Sequence, residues 1–361
     1  MKVLVATGSS GGHLMPAAGF IEAFRKRYPE ADVRLLAPDS TLLPQLETLD
    51  VRITRLKKIR LSRRISVMPG GICALLSACL RSFKVLVHYH PDVVIGFGTV
   101  HALPAVLLAW FFRIRTVVHE QNVVPGRANR LLAKLVDAFC VSFPETRACL
   151  GGTLSKAIVT GSPLRGVLQD VSETDALRFF GFDRGTPVVL VMGGSQGSRA
   201  LNRRFTEAVC QTAGEADFQL IHITGNEAEA ARSRMNYAKK GMRARVYPFL
   251  GQIQYAYRAA DLAFCRSGAM TVAELRHFRL PAVLIPYPFA SKHQMANAGL
   301  LEKDGCAVII RDEDLTPERI RGLLREMFTD SGGLCRLRSG CVRREDDDAG
   351  DKLVQAAVSA E

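Results

Sequence analysis

The chain opens on Lys2-Val-Leu-Val-Ala-Thr-Gly-Ser-Ser-Gly-Gly-His13, and a counterpart stands in its second half, Val188-Val-Leu-Val-Met-Gly-Gly-Ser-Gln-Gly197. Each is a short, β-branched apolar run that stops at a glycine-rich turn. A run apolar on both faces suits a strand buried inside a parallel sheet, and the turn exposes backbone amides at its carboxyl end. Working outward, similar runs recur at Val33 to Leu36, Val93 to Gly96, Thr116 to His119, Ala138 to Ser142 and Ala157 to Thr160. After Val188 to Met192 they recur at Gln219 to Thr224, Arg245 to Pro248, Leu262 to Cys265, Ala282 to Pro286 and Ala307 to Ile310. Helical-period segments separate them, so the pattern predicts an α/β protein of two doubly wound, Rossmann-like domains with parallel sheets. The expected organisation is residues 1–162, residues 163–330, and a tail at 331–361 whose terminal helix packs back on the first domain.

At 361 residues, with 48% hydrophobic and 23% charged residues, the chain has enough material for a core in each half. A net charge of +13 favours anionic partners, whether phosphorylated substrates, an acidic membrane face or nucleic acid. No recognised nucleic-acid motif accompanies that charge, so nucleic acid is not expected as a partner. The nine cysteines form no CxxC pair and no metal-ligand spacing. They read as reduced, mostly buried thiols of a cytosolic protein, with no metal and no cofactor expected. The N-terminus enters a strand at once, which gives no secretion leader to expect. The longest uninterrupted apolar stretch, Ala102 to Phe112, is shorter than the roughly 20 residues of a bilayer-spanning helix, so membrane contact is expected to be peripheral.

Three glycine turns stand where a phosphate is well received: Thr7 to His13, Gly193 to Gly197, and Arg266-Ser-Gly-Ala-Met-Thr271. None is the GxGxxG of dinucleotide enzymes or a Walker loop with its lysine. A single such turn is more often tight strand–helix packing, but two at equivalent places in two domains point to ligand binding. The amides of Ala269, Met270 and Thr271, at a helix start, can hold a diphosphate without metal, each helix N-terminus carrying about half a unit charge.

The residues then resemble a family. Gly193-Gly-Ser-Gln-Gly-Ser198 with Leu201-Asn202, Cys265-Arg-Ser-Gly-Ala-Met-Thr-Val-Ala-Glu274 and His293-Gln-Met-Ala-Asn-Ala298 are similar to motifs of the MurG family. Gly11-Gly-His13, Pro91-Asp-Val-Val-Ile-Gly96, His119-Glu-Gln-Asn122 and Gly161-Ser-Pro-Leu-Arg165 extend the likeness in the same order over residues 1 to about 325. The resemblance implies a GT-B fold with both sheets facing a central cleft. It also implies transfer of N-acetylglucosamine from UDP-N-acetylglucosamine to lipid I, giving lipid II. Two loops depart from the family: Gly8-Ser-Ser-Gly-Gly-His13 where Gly-Gly-Thr-Gly-Gly-His is usual, and Gly96-Phe-Gly-Thr-Val100 where Gly-x-Gly-Gly-Tyr is usual.

Carried residue by residue, the resemblance gives Glu274 the ribose hydroxyls and the backbone of Phe249 and Leu250 the uracil edge. Ser195, Arg165 and the turn Ala269, Met270, Thr271 take the donor diphosphate, and Gln294, Asn297 and Asn122 the sugar hydroxyls. Ser10, Gly11, Gly12 and Gly98 would face the acceptor diphosphate. His13 is the general-base candidate, because an imidazole titrates near neutrality. Glu120 is a second base candidate, and the plainer readings are a helix-start histidine at 13, a loop-holding carboxylate at Glu120, a dipole-favouring carboxylate at Glu274 and a hinge-pairing cation at Arg165.

Between Arg55 and Arg64 the chain carries six cations and no acid, interleaved with Leu56, Ile59 and Leu61, and Ile72 to Leu80 adds apolar bulk. Such a surface suits an anionic bilayer, while the plainer reading is a solvated loop and an amphipathic helix packed on its own domain; with the resemblance, the expected location is the cytoplasmic face of the cell membrane. Two other functions stay open: a related transferase acting on another lipid, such as a diacylglycerol, and a catalytically silent UDP-sugar-binding scaffold.

Overall fold

The computed structural model describes residues 1–40, 43, 46, 49–59, 68–151, 157–168, 171–194, 197–211, 217–289, 292–328, 332–342 and 348–359. The chain divides into two compact units, Met1–Gly166 with Glu345–Glu361, and Val167–Arg344.

The first unit runs β1 (Lys2–Thr7), α1 (Gly11–Arg27), β2 (Asp32–Pro38), β3 (Arg52–Leu56), α2 (Met68–Tyr89), β4 (Val93–Phe97), α3 (Thr99–Phe111), β5 (Arg115–Glu120), α4 (Arg127–Leu132), β6 (Ala138–Val141) and β7 (Ile158–Val159). Its sheet is parallel, in the order β3-β2-β1-β4-β5-β6-β7. Helix α1 buries Leu14, Ala17, Ala18, Ile21 and Phe24 at helical spacing against it. Arg25, Lys26 and Arg27 complete the last turn, where cations complement the helix dipole.

The second unit runs α5 (Glu173–Phe180), β8 (Val188–Met192), α6 (Arg199–Gln211), β9 (Gln219–Ile223), α7 (Glu227–Lys239), β10 (Ala244–Tyr247), α8 (Ile253–Ala259), β11 (Leu262–Cys265), α9 (Ala269–Phe278), β12 (Ala282–Leu284), α10 (His293–Lys303), β13 (Ala307–Ile309), α11 (Pro317–Phe328) and α12 (Gly333–Gly340). Its sheet, again parallel, has the order β10-β9-β8-β11-β12-β13. Capping is explicit in α5: the Ser172 hydroxyl accepts from the Asp175 amide, and Gly181, left-handed at φ 64°, ends the helix. In each sheet the first strand of the unit lies between neighbours that wind in opposite directions. That reversal puts the ligand-receiving crevice of such a sheet at the loops after β1 and β4, and after β8 and β11.

Three expectations are corrected. The boundary lies after Gly166, not at residue 162, because Pro163 packs on α1; a Cβ on Gly19 would stand 2.5 Å from the Pro163 carbonyl oxygen, so the contact exists only with glycine there. The tail does not travel as one piece. Helix α12 belongs to the second unit, with Leu334 and Leu337 on its core, and only the chain from Glu345 joins the first. There the helix α13 (Ala349–Val358) lies on α1, Gly350 against Ala23, and Arg115 donates to the carbonyls of Ala356 and Ala357.

The cysteines are not all thiols: Cys306 and Cys341 form a disulfide, their Cα atoms 4.7 Å apart where Gly340 crosses Gly305. Of the seven free ones, only Cys140 and Cys265 are buried, so cysteine usage carries no compartment. The expectation of peripheral contact is not among those corrected, although α2, interrupted by Arg81 and Lys84, is a longer apolar helix than the unbroken run from Ala102 to Phe112. Its Gly70–Tyr89 segment is long and apolar enough, by length and composition, to cross a membrane. Yet Ala74, Ala78, Ser82, Leu86 and Tyr89 are buried in the unit's own core, a stripe at helical spacing.

Candidate functional site

In the first unit the loops after β1 and β4 touch. A Cβ on Gly8 would meet the Thr99 methyl at 2.6 Å, and one on Gly98, left-handed at φ 74°, would meet the His13 ring at 3.2 Å. Ser10 is the extended N-cap of α1, its carbonyl accepting from the amides of His13 and Leu14, and Gly11, Gly12 and His13 form the first turn. Gly98 holds the equivalent place before α3. Ser10, Gly11, Gly12, His13 and Gly98 therefore come together, two helix N-termini side by side with no acidic residue in either first turn. That is a setting for an anion.

The segment His119-Glu-Gln-Asn122 supports this corner from β5. Glu120, 2% exposed, accepts four hydrogen bonds: from the Asn122 amide (2.9 Å) and side chain (3.1 Å), the Gly126 amide (3.0 Å) and the Asn129 side chain (2.8 Å). With its acceptor sites so occupied, it is a scaffold for the 122–129 loop and orients Asn122. Gln121 bridges His13 and His119, at 3.0 Å and 3.1 Å. Burial pushes His119 down to about 4, so this ring is neutral at ordinary pH. His101, which accepts from the Ile59 amide at 2.9 Å, is also lowered, first by burial and then by His13 and Lys58.

In the second unit the loop after β8 needs its glycines for contact. A Cβ on Gly193 would stand 2.2 Å from the Ser198 amide, and one on Gly197 2.1 Å from the Thr224 carbonyl. Asn202 secures the same crossing by donating to Thr224 O at 2.9 Å. Ser195, the residue assigned to the diphosphate, lies outside the described residues. After β11, Gly268 is an extended N-cap and Ala269, Met270 and Thr271 are the first three residues of α9, where helix amides lack intrahelical acceptors. Arg266, 7% exposed, donates to Ser198 (2.8 Å) and Ile285 O (3.1 Å) and pairs with Asp312, tying this turn to the first glycine loop of the unit.

Glu274 is the sixth residue of α9, beyond the first turn, which removes the dipole explanation. It accepts from Tyr257 at 2.7 Å, and Tyr257 is itself stacked on Phe278. Phe249 and Leu250 follow β10, at the carboxyl edge of the sheet. Gln294 accepts from the Tyr287 amide through its side-chain oxygen at 2.8 Å. Asn297 is fully buried, its amide nitrogen on the Ser267 carbonyl at 3.3 Å, where it braces the turn before α9. Arg165 belongs to the first unit, in the segment packed on α1. Sequence reasoning missed Gln121, Tyr257, Asn129 and the bracing role of Arg266. Only Gln121 carried a signal, its place inside His119-Glu-Gln-Asn122.

Two family models match the chain: the glycosyltransferase family 28 N-terminal domain over residues 3–141, and the family's C-terminal domain over residues 188–336. A Myxococcus xanthus protein named UDP-N-acetylglucosamine--N-acetylmuramyl-(pentapeptide) pyrophosphoryl-undecaprenol N-acetylglucosamine transferase is 34% identical over 334 residues, 91% of this chain and 84% of that one. A Desulfotalea psychrophila protein of the same name is 33% identical over 98% of this chain and 95% of its own. Among solved structures, MurG of Acinetobacter baumannii matches with TM-score 0.75 and 25% identity, over 99% and 98% of the two chains. A UDP-GlcNAc 2-epimerase of Neisseria meningitidis with bound UDP-GlcNAc shares the fold, with TM-score 0.69 at 12% identity over 99% of each chain.

Proposed function

The chain belongs to glycosyltransferase family 28, and from that premise we propose that it transfers N-acetylglucosamine from UDP-N-acetylglucosamine to the 4-hydroxyl of the N-acetylmuramyl group of undecaprenyl-linked lipid I, forming lipid II. The observation that carries this reading is the construction after β11: three helix-start amides at Ala269 to Thr271, and a carboxylate at Glu274 held by Tyr257. A diphosphate next to a ribose asks for that pair of features, neutral donors for the phosphates and one acceptor for the diol.

In the proposed reaction the acceptor oxygen attacks the anomeric carbon, the bond to the UDP oxygen breaks, and the configuration inverts. His13 takes the hydroxyl proton, and the charge developing on UDP is met by the α9 amides with Ser195 and Arg165. The uracil edge is read by the backbone at Phe249 and Leu250. Gln294, Asn297 and Asn122 set the sugar, the first two partly through the backbone groups they hold. Ser10, Gly11, Gly12 and Gly98 take the acceptor's diphosphate.

A lipid-linked acceptor needs an enzyme at the membrane, and α2 offers the surface. Opposite its buried stripe, Ile72, Leu76, Leu80, Phe83 and Val87 are exposed, and Phe83 meets Phe112 beside exposed Trp110 and Phe111. Arg81, Lys84 and Arg113 edge this patch in sequence. It favours peripheral binding to an anionic bilayer at the cytoplasmic face. The cations Arg60, Arg63 and Arg64 lie outside the described residues.

Incubating the protein with labelled UDP-N-acetylglucosamine and a panel of lipid I and diacylglycerol tests the reading. UDP release with lipid II as product is expected. Product on diacylglycerol alone, or UDP-sugar binding with no product, overturns it in favour of the other lipid or of the silent scaffold.

A further inference from the structure

His13 is the base in the function proposed above, and its part here rests on that reading. A chain of hydrogen bonds links its ring to the interior of the unit. His13 Nδ1 lies 3.0 Å from Gln121 Oε1; Gln121 Nε2 lies 3.1 Å from His119 Nδ1 and 2.9 Å from the His119 carbonyl oxygen; His119 Nε2 lies 2.9 Å from the Gly161 carbonyl oxygen. His119 and Gln121 are both 0% exposed, so bulk water does not compete for these bonds.

The direction of every bond is forced by chemistry. A carbonyl oxygen only accepts, so the atom of Gln121 facing His119 O must be the NH2, which leaves the amide oxygen toward His13. Gly161 O likewise demands a proton on His119 Nε2. The neutral His119 ring then has an acceptor at Nδ1, which the Gln121 NH2 satisfies. The Gln121 oxygen can only accept, so His13 must carry its proton on Nδ1.

We propose that His119 and Gln121 are positioning residues that hold the neutral His13 ring in its Nδ1–H tautomer, with the basic lone pair at Nε2. In water the other tautomer is the commoner, and it would put a proton where the acceptor hydroxyl must deliver its own. When His13 takes that proton, the Nδ1–H bond to an amide oxygen is kept and strengthened by the charge. Gln121 supplies orientation without a counter-charge. Burial keeps His119 from titrating near neutrality, so the relay does not reverse while His13 cycles.

The test reads the tautomer directly, by NMR of the full chain with 15N-labelled histidine at about pH 8, above the ordinary imidazole range. His13 is assigned by the signal lost in His13→Ala. The expected result is an unprotonated Nε2 and a protonated Nδ1 on His13. In Gln121→Met, similar in length but without the amide, the balance should move toward Nε2–H. The kcat of that variant for lipid II formation should fall on the order of 100-fold, with KM for UDP-N-acetylglucosamine changed less than about twofold. Wild-type His13 protonated at Nε2 overturns the proposal, even if the variant fails to fold. So does a folded Gln121→Met with unaltered kcat. Full turnover by His13→Ala would instead remove His13 as the base and leave the tautomer measurement standing.

Discussion

Tyr257 gives its hydroxyl to Glu274 at 2.7 Å while its ring is stacked on Phe278, so the carboxylate is aimed by a side chain that has little freedom itself. Tyr257→Phe keeps the stacking and removes one hydrogen bond to a charged group. KM for UDP-N-acetylglucosamine should rise about 3- to 10-fold with kcat within about twofold, because binding is weakened equally in ground and transition states. Steady-state kinetics checks this, and a fall in kcat at constant KM would contradict it. Thr99 presents the opposite situation, a β-branched residue at φ 68° where the family's loop has glycine. Such a conformation costs about 1–3 kcal/mol, and glycine gives back about 0.5–1 kcal/mol through its own entropy. Thr99→Gly should therefore raise the thermal midpoint; a lowered midpoint would mean that the Thr99 contacts with Gly8 and His101 outweigh the strain. Residue types and their order announced His13 and Glu274 in the sequence. Their supports, Gln121 and Tyr257, did not stand out, because what identifies them is a partner 108 residues away in one case and 17 in the other.

Helix α2 carries two apolar stripes: one is buried in its unit's core, and the other is exposed among the described residues, with Phe83 in contact with Phe112. The Ala74, Ala78, Ser82, Leu86, Tyr89 face is core, while Leu76 and Leu80 on the other face are 57% and 64% exposed. Replacing Leu76 and Leu80 with Asp should leave the fold intact, since neither is buried. Sedimentation with anionic vesicles should show affinity reduced about 10-fold or more, as burying each leucine is worth about 1.5–3 kcal/mol. Undiminished binding would place the membrane surface elsewhere. The sequence allowed an amphipathic helix here but not its full length, because Arg81 and Lys84 interrupt the apolar run; its apolar residues are arranged by stripe, not by block. The sequence hid β3, whose Arg52-Ile-Thr-Arg-Leu56 reads as part of a basic segment. An edge strand needs only one partner, β2, and tolerates charge that a central strand would not. Central strands such as β1, β4, β8 and β11 were legible for the converse reason: buried on both faces, they must be apolar throughout.

Each unit of the molecule keeps one neutral histidine deep in its sheet, His119 on β5 and His222 on β9, both fully buried. His222 repeats the logic of forced donors: Asn202 gives its NH2 to Thr224 O and so turns its oxygen to His222 Nε2 (3.2 Å), and Tyr237 OH stands at His222 Nδ1 (2.9 Å). Burial lowers His119 to about 4 and His222 to about 3. In the unfolded chain each would titrate near the ordinary value of about 6.5. Between that value and the folded one the unfolded state binds a proton that the folded state refuses, so stability falls as pH falls. The loss begins near pH 6.5 and is complete below about 4 for His119 and about 3 for His222. In the middle of this window each unit should lose about 1.4 kcal/mol per pH unit, before carboxylate protonation adds to it. Urea unfolding at a series of pH values from about 7 to about 4 measures the slope, and a His222→Gln variant should flatten it for the second unit while leaving the first unit's slope in place. Equal slopes in variant and wild type would mean that His222 takes up its proton without unfolding, and that the network around Asn202 and Tyr237 accommodates a charge its geometry is built to exclude.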